Sequence, residues 1–91
     1  MKQTVQASLK ELQTIPGVGK SIARDLMALN IHSIQHLKGK NPERMYERRC
    51  EQVGQRIDPC LLYVFRCAVY FAETKNPRPE LLKWWNWKDR R

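Results

Sequence analysis

Apolar residues recur along this chain at helical intervals. Leu9, Leu12 and Ile15 fall three apart, one stripe of a first helix that Ser8 is placed to cap. Pro16 and Gly17 break that stripe. Ile22, Ala23, Leu26 and Leu29 form a second stripe and predict a helix from about Lys20 to Asn30, a natural terminator. Ser33 can cap a short turn through Leu37, which Gly39 ends. Asn41 then caps a helix with Pro42 at its first position, Met45, Tyr46, Arg49 and Val53 along one side, and Gly54 as its stop. Asp58 and Pro59 repeat the device before "CLLYVFRCAVYFA", Cys60 to Ala72, which is apolar around nearly its whole circumference and belongs at the centre of a core. Asn76-Pro77-Arg78-Pro79 stops it, and a last short helix is expected from Glu80 to about Trp85. No segment alternates with period two. The pattern predicts an all-α fold of five or six short helices, one domain over residues 1–91.

Composition narrows the partners. Apolar residues make up 42% and charged residues 29%, a globular balance. Seventeen Lys and Arg against nine Asp and Glu give a formal charge of +8. Such a surface attracts polyanions, nucleic acid first. The longest apolar run has 13 residues, carries Arg66, and is short of the roughly 18 that a membrane span needs. "MKQTVQASLKELQ" has no apolar run of the secretory kind, and three cysteines without a CxxC pair fit a reducing cytoplasm better than a disulfide framework. No membrane partner and no small-molecule substrate are expected.

The stretch that carries chemistry is "IPGVGKSIA", Ile15 to Ala23. Its "GVGKS" has the look of an ATP-binding loop, but that loop needs GxxxxGK[ST] after a buried strand. Position 14, where the first glycine should be, is Thr14, and the preceding segment is helical in period. A tight turn between two helices accounts for every residue. Gly17 and Gly19 permit angles closed to other residues, Val18 points inward, and the amides near Gly19, Lys20 and Ser21 open a helix. A helix N-terminus presents unpaired N–H groups and partial positive charge, which suits phosphate.

"LQTIPGVGKSIARDLMALNI" resembles the helix-hairpin-helix motif, hydrophobic-x-G-hydrophobic-G followed by a basic helix. The resemblance implies that the amides of Gly17, Gly19 and Ser21 bind a phosphate of the DNA backbone without reading sequence, with Lys20 and Arg24 alongside. It also implies a site for K+ or Na+ on the carbonyls of Gln13, Ile15 and Val18, with no other cofactor. Further on, "NIHSIQHLKGKNPERMYERRC", "DPCLLYVFRCAVYFA" and "LLKWWNWKD" are similar to the small bacterial pathogenicity-locus family of stand-alone helix-hairpin-helix proteins, some labelled mitomycin-resistance-related. The second helical pair of this chain departs from double-hairpin binders. It has no GxG turn, and Lys38, Lys40 and Arg44 cluster there instead.

No enzyme is expected. DNA glycosylases join such hairpins to a downstream catalytic aspartate, but Asp58 lies 39 residues after Gly19, beyond their usual interval, and a helix cap explains it. Cys50, Cys60, Cys67, His32 and His36 lack finger-like spacing, so no metal centre is expected. Trp84, Trp85 and Trp87 are interleaved with Lys83, Lys88, Arg90 and Arg91. That tail can be a lid on the core, a protein interface, or a platform for unpaired bases, with the lid as first expectation. The function expected is a DNA-backbone-binding module. The alternatives are a protein-interaction module and an accessory subunit of a DNA repair or resistance system.

Overall fold

The computed structural model describes residues 4–88. Positions 89–91, with Arg90 and Arg91 of the basic tail, lie outside the described residues. Four α-helices, α1 (Val5–Leu12), α2 (Lys20–Ala28), α3 (Pro42–Val53) and α4 (Cys60–Glu73), alternate with turns that include 3-10 segments at Gln35–Leu37, Pro79–Leu82 and Trp84–Trp87. There is no strand among the described residues. The all-α expectation therefore stands, while the count of five or six α-helices falls to four. The missing one is the expected final helix. There the Asn86 side-chain amide donates to the Glu80 carbonyl at 2.7 Å and the Trp87 indole N–H to the Leu81 carbonyl at 2.8 Å. Side chains thus engage acceptors that a continuing α-helix would offer to its own amides, and the segment divides into two 3-10 turns about the extended Lys83.

α4 occupies the centre, as its all-round apolar sequence requires. Leu61, Val64, Phe65, Cys67, Ala68, Val69 and Ala72 are all buried. Around it one cluster gathers Leu12 from α1, Leu26 from α2, Leu37, and Met45 and Tyr46 from α3. α4 packs against α3 and against all three 3-10 segments.

The helix ends follow local chemistry. Asn41 Oδ1 accepts the Arg44 amide at 3.1 Å with Pro42 behind it, and Gly54 closes α3 in the left-handed region at φ 83°. α1 differs from the expectation. Thr4, not Ser8, is the cap, its hydroxyl accepting the Ala7 amide at 3.0 Å, and Ser8 lies buried inside the helix. A cap needs extended backbone angles, and Thr4 has them at φ −72° and ψ 162°.

α2 ends in a Schellman motif. Asn30 sits at φ 64°, its amide donates to the Met27 carbonyl at 2.9 Å, and the Ile31 amide reaches back to Leu26 at 3.0 Å. Leu26 and Ile31, the residues this motif brings together, are both buried. Asn tolerates left-handed angles that cost most residues roughly 1–2 kcal/mol. We predict that Asn30→Ala lowers unfolding free energy by about 1 kcal/mol in urea titrations, and that Asn30→Gly is close to neutral.

Candidate functional site

The turn between α1 and α2 begins where the α1 ladder runs out. The amides of Thr14 and Ile15 close short bonds to Glu11 and Leu12, and the Val18 amide closes the turn on the Ile15 carbonyl at 3.0 Å. Ile15 and Val18 are buried and fix the turn to the core. The Pro16 carbonyl lies 4.0 Å from Cys67 Sγ of α4. Burial pushes the Cys67 thiol up to about 11, so at neutral pH it stays protonated and donates to the Leu81 carbonyl at 3.6 Å.

The two glycines differ. Gly17 has φ +86°, as the sequence predicts. Gly19 does not need a glycine's angles. It is extended, at φ −90° and ψ −172°, and serves as the N-cap of α2 without a side-chain cap. Gly17, Gly19, Lys20, Ser21 and Arg24 are all exposed. The amides of Gly17, Gly19, Lys20 and Ser21 meet no acceptor among the described residues, while the Ala23 amide is the first to bond back, to Gly19. The turn therefore presents a set of N–H donors without acceptors, on exposed residues, at the start of a nine-residue helix.

The charge distribution separates two kinds of cation. Arg49 pairs with Asp25 at 2.7 Å, Arg66 with Glu43 at 2.8 Å, Arg56 with Glu47 at 3.2 Å and Arg78 with Glu80 at 3.2 Å. Lys20 and Arg24 form no ion pair among the described residues, nor do Lys38, Lys40 and Arg44. Of the paired ones, Arg49 matters structurally. It joins α3 to α2, and Gln52 beside it donates to the Ala28 carbonyl at 3.0 Å. That holds α2, and with it the turn, against α3.

The structure groups the nominated residues in two places. Lys20, Ser21 and Arg24 share the first turns of α2. Lys38, Lys40 and Arg44 surround Gly39 and the start of α3. At this second place the Gly39 amide donates to Glu73 Oε2 at 2.6 Å. A carboxylate of the chain itself takes the position that a phosphate oxygen would need, so the two turns are not equivalent. Sequence reasoning missed Glu73, which is 34 residues away from its partner. It also missed that Trp84 closes over Gly17. A β-carbon added at Gly17 would stand 3.2 Å from Trp84 Cδ1, whereas one at Gly19 meets nothing within 4 Å.

Asp58 does local work. Its Oδ1 accepts the Cys60 amide at 2.8 Å at the start of α4, and that hydrogen bond holds its carboxyl below the usual range. The same carboxylate pushes the exposed Cys60 thiol up, first through a hydrogen bond. Because the Asp58 pKa is depressed by folding, its contribution is complete above the ordinary carboxylate range near 4 and is lost as pH falls through and below that range. We predict that Asp58→Asn speeds iodoacetamide alkylation of Cys60 at pH 8, since the thiolate is the nucleophile. Cys50 and Cys67 are buried and should react only on unfolding. His36 Nδ1 accepts the His32 amide at 3.1 Å, and no group of three or more metal-binding side chains gathers among the described residues.

A cleft of about 690 Å³ lies elsewhere, lined by Arg66, Val69, Tyr70, Leu81 and Trp87 among others, and shares no lining residue with the α1–α2 turn. No helix among the described residues is long and apolar enough to cross a membrane.

Residues 5–91 match the family described as pathogenicity locus (Cdd1). Over 81 residues the chain is 38% identical to the mitomycin resistance protein McrB of Streptomyces lavendulae, which covers 89% of this chain and 73% of that protein. No solved structure matches.

Proposed function

The chain belongs to the pathogenicity-locus family, and from that premise we propose that it is a helix-hairpin-helix module that holds the backbone of DNA without reading its sequence. One observation supports this most. The exposed α1–α2 turn offers the amides of Gly17, Gly19, Lys20 and Ser21 with no acceptor of their own, beside two cations, Lys20 and Arg24, that no carboxylate pairs among the described residues. Backbone donors at a helix start recognise phosphate geometry, and phosphate contacts fix position without carrying sequence information. Lys38, Lys40 and Arg44 supply a second, weaker contact through side chains, because Glu73 already holds the Gly39 amide. The module binds without catalysis and acts in the bacterial cytoplasm. Its relative's name suggests service as an accessory subunit in a resistance system.

On this reading a K+ or Na+ ion sits on the carbonyls of Gln13, Ile15 and Val18. Carbonyl oxygens suit such ions. The Ile15 carbonyl already accepts the Val18 amide and keeps one lone pair. The ion would stiffen the turn and add positive charge beside the phosphate.

The experiment is a titration of labelled duplex DNA followed by fluorescence anisotropy across a salt series. Log affinity should fall against log salt with a slope of about −0.9 for each phosphate neutralised. A flat salt response, or no binding, would favour a second reading. The cleft beside Tyr70 and Trp87, whose rings lie 5.4 Å apart, would then be the contact for a protein partner.

A further inference from the structure

The three tail tryptophans divide their roles. Trp87 donates its indole N–H to the Leu81 carbonyl at 2.8 Å and is half-buried. Trp84 packs against the core and over Gly17, where a β-carbon would stand a tight 3.2 Å from its Cδ1. Trp85 does neither. It is 51% exposed, the largest side chain among the exposed apolar residues, and its ring stands edge-on to Trp84 with centroids 5.7 Å apart. The exposed indole is therefore one side chain away from the turn amides. Lys83 and Lys88, both exposed and without an ion pair among the described residues, lie on either side of it in the chain.

We propose that the turn and Trp85 form one composite site for DNA with an unpaired nucleotide, the turn amides holding its phosphate and the Trp85 ring stacking on its base. The inference rests on the phosphate reading of the turn and adds the substrate class: single-stranded or locally unpaired DNA over perfect duplex. Three features support it together. The ring is held by an edge contact with Trp84, so it is oriented without being covered. Trp84 lies against Gly17 and also meets the Trp85 ring, so one indole stands between the ring and the turn. The neighbouring cations attract backbone and leave the aromatic face to a base, and base–aromatic stacking tolerates any sequence.

The test uses the whole chain, oligothymidylate and a blunt duplex, with anisotropy for affinity and intrinsic fluorescence for stacking. Wild type should bind oligothymidylate more tightly than duplex, and its tryptophan emission should be quenched on binding. Trp85→Leu should lose most of that quenching and weaken oligothymidylate binding by about fivefold to a hundredfold, with duplex affinity unchanged. Trp85→Phe should keep most of the single-strand affinity, and circular dichroism should show both variants folded. If Trp85→Leu binds oligothymidylate as wild type does, or if wild type prefers duplex, the composite site is overturned while the turn reading stands. If Trp85→Leu weakens binding but Lys20→Pro does not, the ring is a base platform and the turn reading fails. If wild type binds neither DNA, both are overturned.

Discussion

Gly17→Val is expected to destabilise the fold by about 3 kcal/mol, while Gly19→Val leaves it nearly intact. At Gly17 two costs add. The backbone is at φ +86°, where an ordinary residue loses roughly 1–2 kcal/mol and a β-branched one more. The new β-carbon would also stand 3.2 Å from Trp84 Cδ1, and the valine methyls would extend further, so the indole must shift off the turn. At Gly19 the backbone is extended, nothing lies within 4 Å, and only a modest N-cap preference is lost. Urea unfolding of the two variants measures the difference. Equal midpoints would contradict both the positive φ at Gly17 and the Trp84 contact.

Phe65→Ala is expected to remove about 3–5 kcal/mol. Phe65 is 0% exposed, the largest fully buried side chain among the described residues, and lies on the helix that packs against α3 and all three 3-10 segments. A domain of this length has roughly 5–14 kcal/mol in total at 0.05–0.15 kcal/mol per residue. The variant should therefore unfold at a much lower urea midpoint. A loss under 1 kcal/mol would show that α4 is not the core of this fold.

Much of the architecture was legible because helix ends are local chemistry. Asn41 with Pro42, Gly54 after α3 and Asn30 after α2 each act within a few residues of themselves, and all three lie where their side chains or angles predict. α4 was legible because a 13-residue apolar run leaves no polar face to expose. Thr4 was missed because Ser8 and Thr4 have equal capping chemistry, and packing decides between them by burying Ser8. The final segment was missed because the carbonyls of Glu80 and Leu81 are taken by Asn86 and Trp87 side chains, a competition that propensity does not register. The candidate turn was marked by its glycines, yet only one of them needs a glycine's angles. The two contacts that distinguish the turns, Trp84 over Gly17 and Glu73 on Gly39, link residues distant in sequence. No local pattern encodes them.

The central claim is that backbone amides of the α1–α2 turn hold phosphate. Lys20 is the first residue of α2 and follows an extended Gly19, which is where proline fits a helix best. Lys20→Ala removes a charge; Lys20→Pro removes the same charge and one amide donor without disturbing the helix. The measurement is the affinity of both variants for labelled DNA by anisotropy at matched low and physiological salt, with circular dichroism confirming equal helicity. A hydrogen bond to a charged group contributes about 1.5–3 kcal/mol. Lys20→Pro should therefore bind at least about tenfold more weakly than Lys20→Ala, at both salt concentrations. Equal affinities for the two variants would mean that the Lys20 amide touches no phosphate, and would contradict its place among the turn donors.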